Sequence, residues 1–355
     1  MRFSRVSSLL SAVALAAVGV CAEAQGATLH LLPAAEDVIP KNIQWDEAVS
    51  IIAHALGVSH LSPALQFADH HAEVLNDAAV QKVVGSLLEP ARPNLLIVAR
   101  GLTADGVPVP AKYSIGTSSE TAGSLISDLA YDFSELSADK YDSGLSTLYV
   151  TSQTGDKPLS NCAMVKLQDG GAAVSASKTS ENVRATLNEI SATAYSDVKA
   201  HFMEKFGKKV EIFDESEPIE KFFMVEMEFI SSLFEAMRIQ SLHPESKTQA
   251  SFQSIVLNLA KLDALAAKEG TESKKYLAAV SIMREVLEEA TQTFTKLHTK
   301  SSIEILSVPP ATLSATTVGT YPRPVLRRSV DPRAAITCAK DKEACQKTFN
   351  SCSGH

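Results

Sequence analysis

The chain has 355 residues, of which 45% are hydrophobic and 21% are charged, a length that suits one large domain or two small ones. Its formal net charge of −8 at pH 7 argues against nucleic acid as a partner, because phosphate binding requires a basic face. Beyond the first 24 residues, the sequence contains no uninterrupted apolar stretch of the ~20 residues that a membrane span needs.

Residues 1–24 have the pattern of a cleaved signal peptide. A basic start with Arg2 and Arg5 precedes the apolar run Leu9–Val20, and the small residues of Ala22–Ala24 form a cleavage signature. The mature chain is therefore predicted to be lumenal, in an oxidising compartment. Its remaining cysteines are Cys162, Cys338, Cys345 and Cys352.

Between residues 25 and 180, short apolar runs alternate with helical periodicity. The predicted strands are Thr28–Leu32, Asn94–Ala99, Thr147–Thr151 and Met164–Leu167. Asn94–Ala99 is apolar after its first residue, which is typical of a strand buried on both faces. The predicted helices are one from Trp45 to a stop at Gly57, with Asp46 as its cap, and two more over Glu73–Leu88 and Ser118–Phe133.

The next segment, up to residue 217, is more mixed. We predict a loop or hairpin over Asp169–Lys178, a helix over Ser191–Phe206, a short strand over Lys209–Phe213 and an acidic turn over Asp214–Glu217.

Residues 218–308 read as three amphipathic helices closed by a strand. The helices are predicted over Pro218–Gln240, from Phe252 to a stop at Gly270, and over Tyr276–Phe294, with the strand at Ser302–Val308. Short loops predict antiparallel packing of the helices, and the strand is expected to return to the sheet. Residues 25–308 are therefore predicted to form an α/β (or α+β) domain, a mixed sheet covered by helices with a C-terminal three-helix block.

The composition changes after this block. Residues 309–337 are rich in Thr, Ser, Pro and Arg and predict an extended linker, in which Arg327 and Arg328 form a candidate processing site. Residues 338–355 contain the disulfide candidates Cys338, Cys345 and Cys352 at two equal spacings. This pattern resembles the start of an epidermal-growth-factor-like (EGF-like) module that needs further cysteines to close. We expect an unfinished module and a free Cys162.

The helical block resembles the lumenal domain of the (pro)renin receptor family, the accessory protein 2 of the vacuolar proton ATPase (V-ATPase). The matching segments are Phe223–Leu233, Leu257–Asp263, Ala279–Leu297 and Ser302–Val308. Upstream, Pro93–Gly101 stands where that family has an apolar strand ending in a basic residue and glycine. The cysteine tail is similar to the C-terminal module of a fungal family of single-pass endoplasmic-reticulum membrane proteins associated with vacuolar sorting.

Both resemblances imply the non-enzymatic lumenal domain of a type I membrane protein. Its location would be the membrane of the endoplasmic reticulum or secretory pathway, with the vacuole or endosome as further destinations. The receptor family implies an accessory or assembly factor of the V-ATPase, with membrane-sector subunits as partners and a transmembrane segment that this chain lacks. Renin binding is not expected, because the cysteine tail departs from that family. The alternative is a cargo-sorting or adhesion-type receptor ectodomain, with a cargo protein as partner.

No catalytic motif, cofactor site or metal site is predicted. The chain contains no Gly-x-Ser-x-Gly elbow, P-loop or dinucleotide fingerprint. The cluster of Asp69, His70, His71 and Glu73, with His54 and His60 upstream, is interpreted as a solvated helix start, because adjacent histidines diverge on a helix. Acid sensing by these histidines is a second hypothesis. A third reading of the chain, a hydrolase-like domain that lost its site, requires a convergent polar pocket.

Two further ligand candidates are weak. Asp214–Glu217 lacks the spacing of a calcium loop, so its charges are assigned to the following helix start. Cys162 begins an apolar strand, which favours a buried thiol over a nucleophile.

Overall fold

The computed structural model describes residues 26–32, 41–56, 77–84, 92–116, 147–153, 163–168, 170–176, 181–242, 252 and 254–310. Several predicted features lie outside these ranges. They are the signal peptide, the helix over Ser118–Phe133, Cys162, the cluster Asp69–Glu73 with His60, and the linker and cysteine tail beyond residue 310.

One mixed sheet of nine strands runs through the described residues. The strands are β1 (Ala27–Leu32), β2 (Lys41–Ile43), β3 (Asn94–Arg100), β4 (Tyr113–Ile115), β5 (Thr147–Thr151), β6 (Ala163–Gln168), β7 (Gly171–Ala176), β8 (Ser254–Leu259) and β9 (Ser302–Val308). Their order is β2-β4-β1-β9-β3-β8-β5-β6-β7. The five neighbouring strands β9, β3, β8, β5 and β6 are parallel. Strand β1 runs antiparallel to β9, and β7 runs antiparallel to β6. The predicted α/β class with a mixed sheet is confirmed.

Seven α-helices of the described chain cover this sheet. They are α1 (Trp45–Ala55), α2 (Ala78–Val84), α3 (Glu181–Tyr195), α4 (Val198–Phe206), α5 (Pro218–Leu242), α6 (Lys261–Glu269) and α7 (Lys274–Leu297). Helices α3 to α7 enclose the larger core on one face, and α1 and α2 enclose a smaller core on the other. No helix within the described ranges combines the length and apolarity required to cross a bilayer.

The last strand, β9, returns to the centre of the sheet as expected. It lies between β1 and β3, and each of its residues is buried. Ile303 and Ile305 pack in the larger core, while Leu306 and Val308 pack in the smaller one. The last described strand therefore contributes to both cores and connects β1 with β3.

The helix predicted from Phe252 to Gly270 is wrong over its first half. Residues Ser254–Leu259 form β8, and the helix begins only at Lys261. In β8, Ile255 and Leu257 face the larger core and Val256 faces the smaller one. A strand buried on both faces is apolar at nearly every position, so its sequence also fits helical spacing.

Smaller differences follow from local geometry. Residues 207–210 form a 3₁₀ turn instead of the predicted strand, and the Glu211 and Phe213 N–H groups donate to carbonyls three residues back, those of Lys208 and Val210. The helix predicted over Ser191–Phe206 is two helices, broken where Asp197 adopts a left-handed φ of 44°.

Two more predictions are refined. The segment Asp169–Lys178 contains a hairpin, whose second strand is β7. Helix α1 is capped by Gln44 and not by Asp46, because the Glu47 carboxylate accepts a hydrogen bond from the Gln44 backbone N–H at 2.6 Å.

Candidate functional site

The carboxyl ends of the five parallel strands lie at one edge of the sheet, and the chain changes direction there. After β5 it continues outward to β6, whereas after β8 it passes through α6 and α7 to β9 on the opposite side. Such a point, where neighbouring strands send their connections in opposite directions, is the usual ligand-binding crevice of an open α/β sheet. The candidate site is therefore the β5/β8 switch point.

Polar groups from β5 and β8 meet at this point. The Ser152 backbone N–H donates to the Asn258 carbonyl at 3.2 Å, and the Ala260 N–H donates to the Ser152 hydroxyl oxygen at 2.9 Å. The Asn258 side-chain amide donates to Gln153 Oε1 at 3.0 Å and to the Tyr149 hydroxyl at 3.4 Å. Ser152 and Asn258 are both buried. These bonds tie the two strand ends to each other and to the start of α6.

Helix α5 adds a carboxyl group to the switch point. Glu226 is fully buried, and its Oε1 accepts from the same Ala260 N–H at 3.1 Å. Burial raises the pKa of Glu226 to about 7, although the Ser152 hydroxyl and the charge of Lys261 act in the opposite direction. Its other oxygen, Oε2, has no hydrogen-bond partner among the described residues. A carboxyl group with this pKa is about half protonated near pH 7.

The neighbouring end of β3 is packed tightly against α6. Gly101 has a φ of +82°, and a Cβ atom placed on it would lie 2.3 Å from the Asp263 backbone nitrogen. The Tyr276 hydroxyl donates to the Gly101 carbonyl at 2.9 Å. Arg100 forms an ion pair with Asp263 at 3.6 Å. Backbone and side chains of the protein itself thus fill this part of the edge.

This arrangement positions secondary structure more directly than it positions a substrate. The Ser152 hydroxyl accepts from a backbone amide and has a carboxyl group beside it, without the exposure that an attacking nucleophile needs. A cavity bounded by described residues lies elsewhere, between α3 and α5. It is apolar, lined by residues such as Leu187, Leu233 and Phe252, and its volume of about 10 Å³ is near that of one water molecule.

A second buried carboxyl group lies at the amino edge of the sheet. Asn94 at the start of β3 is in register with Ser302 of β9, and its amide donates to the Ser302 hydroxyl at 2.9 Å and to Glu304 Oε2 at 2.5 Å. Glu304 is fully buried, and this burial raises its pKa to about 8 in spite of those two polar neighbours. Asn94, Ser302 and Glu304 are all buried, so we assign this amino-edge cluster to folding.

The sequence-predicted site residues and the switch point do not coincide. Arg327, Arg328, Cys338, Cys345 and Cys352 lie outside the described residues, so those predictions stay predictions. Among the residues that are described, no group of three His, Cys, Asp or Glu side chains is arranged to hold a metal ion. Sequence reasoning missed Glu226 and Glu304. Their signal was a carboxyl group within an otherwise apolar stretch.

The acidic turn Asp214–Glu217 is bound by other parts of the protein. The Asp214 carboxylate accepts from the Ser216 N–H at 2.9 Å and from its hydroxyl at 2.7 Å. Glu217 forms an ion pair with Lys268 of α6 at 2.7 Å. The buried Glu220 follows, accepting from the Asp214 N–H at 2.8 Å and from Lys275 of α7 at 2.6 Å. The acidic turn therefore joins three helices.

Replacing Glu220 with glutamine is expected to lower the free energy of unfolding by about 1–2 kcal/mol. The ion pair with Lys275 is lost, while the hydrogen bond from the Asp214 backbone N–H is retained. Lys275 is partly exposed and regains water, which limits the loss. Chemical denaturation measures the change. Glu235→Gln is the matched control, since it removes an exposed pair with Arg238 and should leave stability unchanged. Equal effects in the two variants would contradict the assignment.

No protein-family model matches the chain, and no curated protein or solved structure matches it either. The class that the structure defines is an α/β domain with a mixed nine-stranded sheet.

Proposed function

We propose that the chain is a non-enzymatic lumenal domain of a type I membrane protein, and that it acts as an accessory or assembly factor of the V-ATPase. The pump assignment comes from the resemblance of residues 218–308 to the (pro)renin receptor family. The partners proposed are membrane-sector subunits of the pump, and the site of action is the lumenal side of the secretory-pathway membrane.

The observation that carries the non-enzymatic part of the proposal is the filled switch point. Glu226 of α5 and Ser152, which directly follows β5, both accept from the Ala260 amide, which is the group that a bound anion would contact in a ligand-binding α/β domain. Gly101, at the end of β3, brings the backbone into contact with α6, the helix that begins after Ala260. The protein's own side chains thus supply the contacts that a ligand would otherwise make.

The central position of β9 supports a role in positioning a partner. The described part of the chain ends at Pro309 and Pro310, directly after a strand that is buried over its whole length. An attachment at this point is held by pairing with β1 on one side and β3 on the other. Pairing on both sides of β9 suits a domain that orients an attached segment.

The test is deletion of the gene followed by rescue with two forms of the protein. We expect organelle acidification to fail on deletion and to return with the native chain and with Ser152→Ala/Glu226→Gln, since both replaced groups are assigned to packing. Affinity purification of the native chain should recover membrane-sector subunits. Rescue by the native chain but not by the stably folded double variant would favour an enzyme. Normal acidification with ligand-dependent missorting would favour the cargo-receptor alternative.

A further inference from the structure

A row of polar residues crosses the amino edge of the sheet, where four parallel strands begin. Thr147 of β5, Ser254 of β8, Asn94 of β3 and Ser302 of β9 follow one another across the sheet, and each is in register with the next. Residues two or four positions further along each of these strands pack in the smaller core, so the side chains of the row lie on that face. The row therefore places four polar side chains next to each other.

The hydrogen bonds of Asn94 fix the direction of its side-chain amide. Both protons of the amide nitrogen are used, because it donates to the Ser302 hydroxyl and to Glu304 Oε2, and both acceptors belong to β9. The amide oxygen lies on the other side of the amide carbon, and the strand on that side of β3 is β8. Asn94 Oδ1 is therefore directed toward Ser254, its partner in the row.

The two groups that face each other across β3 and β8 are buried and unsatisfied. Asn94 Oδ1 and the Ser254 hydroxyl oxygen have no hydrogen-bond partner among the described residues, and they do not bond to each other. Native proteins pair nearly all buried polar atoms, either with other protein groups or with ordered water, because an unmade hydrogen bond costs free energy. A donor and an acceptor that face each other without a direct bond are commonly joined by a water molecule.

We propose that the polar row binds one ordered water molecule between β3 and β8, which donates to Asn94 Oδ1 and accepts from the Ser254 hydroxyl. Water suits both groups, since a single molecule can donate to one and accept from the other. The bound water extends the amino-edge cluster of Asn94, Ser302 and Glu304 from β9 and β3 to β8. Three neighbouring strands are then joined by one continuous set of side-chain hydrogen bonds.

The first test is a crystal structure of the mature full chain at a resolution that shows ordered water. We expect one water molecule within hydrogen-bond distance of both Asn94 Oδ1 and the Ser254 hydroxyl. Three results would overturn the proposal: a direct hydrogen bond between the two side chains, a bond to either atom from another segment of the chain, or a dry contact.

The second test detects the water in solution by magnetisation transfer from water to the side-chain amide protons of Asn94. We expect transfer in the native chain and its loss in Ser254→Val, in which two methyl groups replace the hydroxyl, so that the side chain neither bonds a water molecule nor leaves space for it. Circular dichroism verifies that the variant is folded. The backbone amide of Leu96, also buried in β3, is the control and should show no transfer in either protein. Absence of transfer in the native chain, or equal transfer in the folded variant, would contradict the bound water.

Discussion

Replacing Gly101 with alanine is expected to lower the free energy of unfolding by about 3–5 kcal/mol. Two costs add at this position. The φ of +82° is unfavourable for any residue with a side chain, and the new Cβ would lie 2.3 Å from the nitrogen and 2.5 Å from the Cα of Asp263. Both contacts are backbone atoms, so no rotamer change relieves them. The β3 end and α6 would have to separate.

Gly170→Ala is the matched control for this variant. Gly170 has the same φ of +82°, but no atom of the described residues lies within 4 Å of the place where its Cβ would be. Its substitution should therefore show the conformational cost alone, roughly 1–2 kcal/mol. Denaturant titration of both variants measures the difference. If Gly101→Ala were no more destabilising than Gly170→Ala, the close contact between β3 and α6 would be wrong.

Gly101→Ala should also disturb the β5/β8 switch point. Asp263 lies in the first turn of α6, whose preceding amide, that of Ala260, is shared by Ser152 and Glu226. A shift of α6 away from β3 would lengthen these bonds, so amide exchange at residue 260 should accelerate more than exchange in β1 or β9. The packing at one strand end is thereby linked to the polar network at the next.

Much of the fold can be predicted from the sequence, because the spacing of hydrophobic residues in most elements fits either a helix or a strand but not both. The strand Asn94–Ala99, the helix from Pro218 and the strand Ser302–Val308 were all predicted close to their observed bounds. Strand β8 was not, since a strand buried on both faces lacks the alternation that distinguishes it from a helix.

The candidate site was beyond sequence reasoning for a different reason. Ser152, Glu226 and Asn258 are far apart in the chain and meet only because β5 and β8 are paired and α5 packs across them. Glu226 sits in an apolar helix face, where a lone carboxyl group looks like an exception to the pattern. The role of Glu226 depends on the Ala260 backbone amide, which lies near it only in the folded protein. Gly101 was noted in the sequence, but its contact with α6 was equally invisible.

Removing the two buried carboxyl groups is expected to change the pH dependence of stability. Both have a pKa raised by burial above the ordinary value of 4.5, to about 7 for Glu226 and about 8 for Glu304. Between pH 4.5 and the raised pKa of each group, the folded protein keeps a proton on that carboxyl group that the unfolded chain releases. Their contribution to stability is therefore complete below pH ~4.5 and is lost as the pH rises through about 7 and 8.

Glu226→Gln should raise the free energy of unfolding at pH 8 by about 3 kcal/mol and Glu304→Gln by about 4 kcal/mol, since the two pKa values rise by about 2.5 and about 3.5 and a change of one in pKa corresponds to ~1.4 kcal/mol. Glutamine resembles the protonated acid in shape and carries no charge. The variants should also reduce the fall in stability between pH 5 and 8, which urea titrations at several pH values measure. Glu189→Gln, on the exposed face of α3, is the control and should follow the native curve.

His30 has the opposite effect on the pH dependence of stability, because it lowers stability in acid. Its ring is buried, with Nδ1 donating to the Val109 carbonyl at 2.7 Å and Nε2 lying 3.2 Å from the Ser307 hydroxyl. Burial lowers the pKa of His30 below 6.5, so the unfolded chain takes up a proton first and stability falls as the pH drops below that value. The native protein should therefore be most stable in mildly acidic solution, with the glutamine variants extending that range upward. A native curve that rises steadily from pH 5 to 8, with no change in the glutamine variants, would show that both carboxyl groups are ionised in the fold.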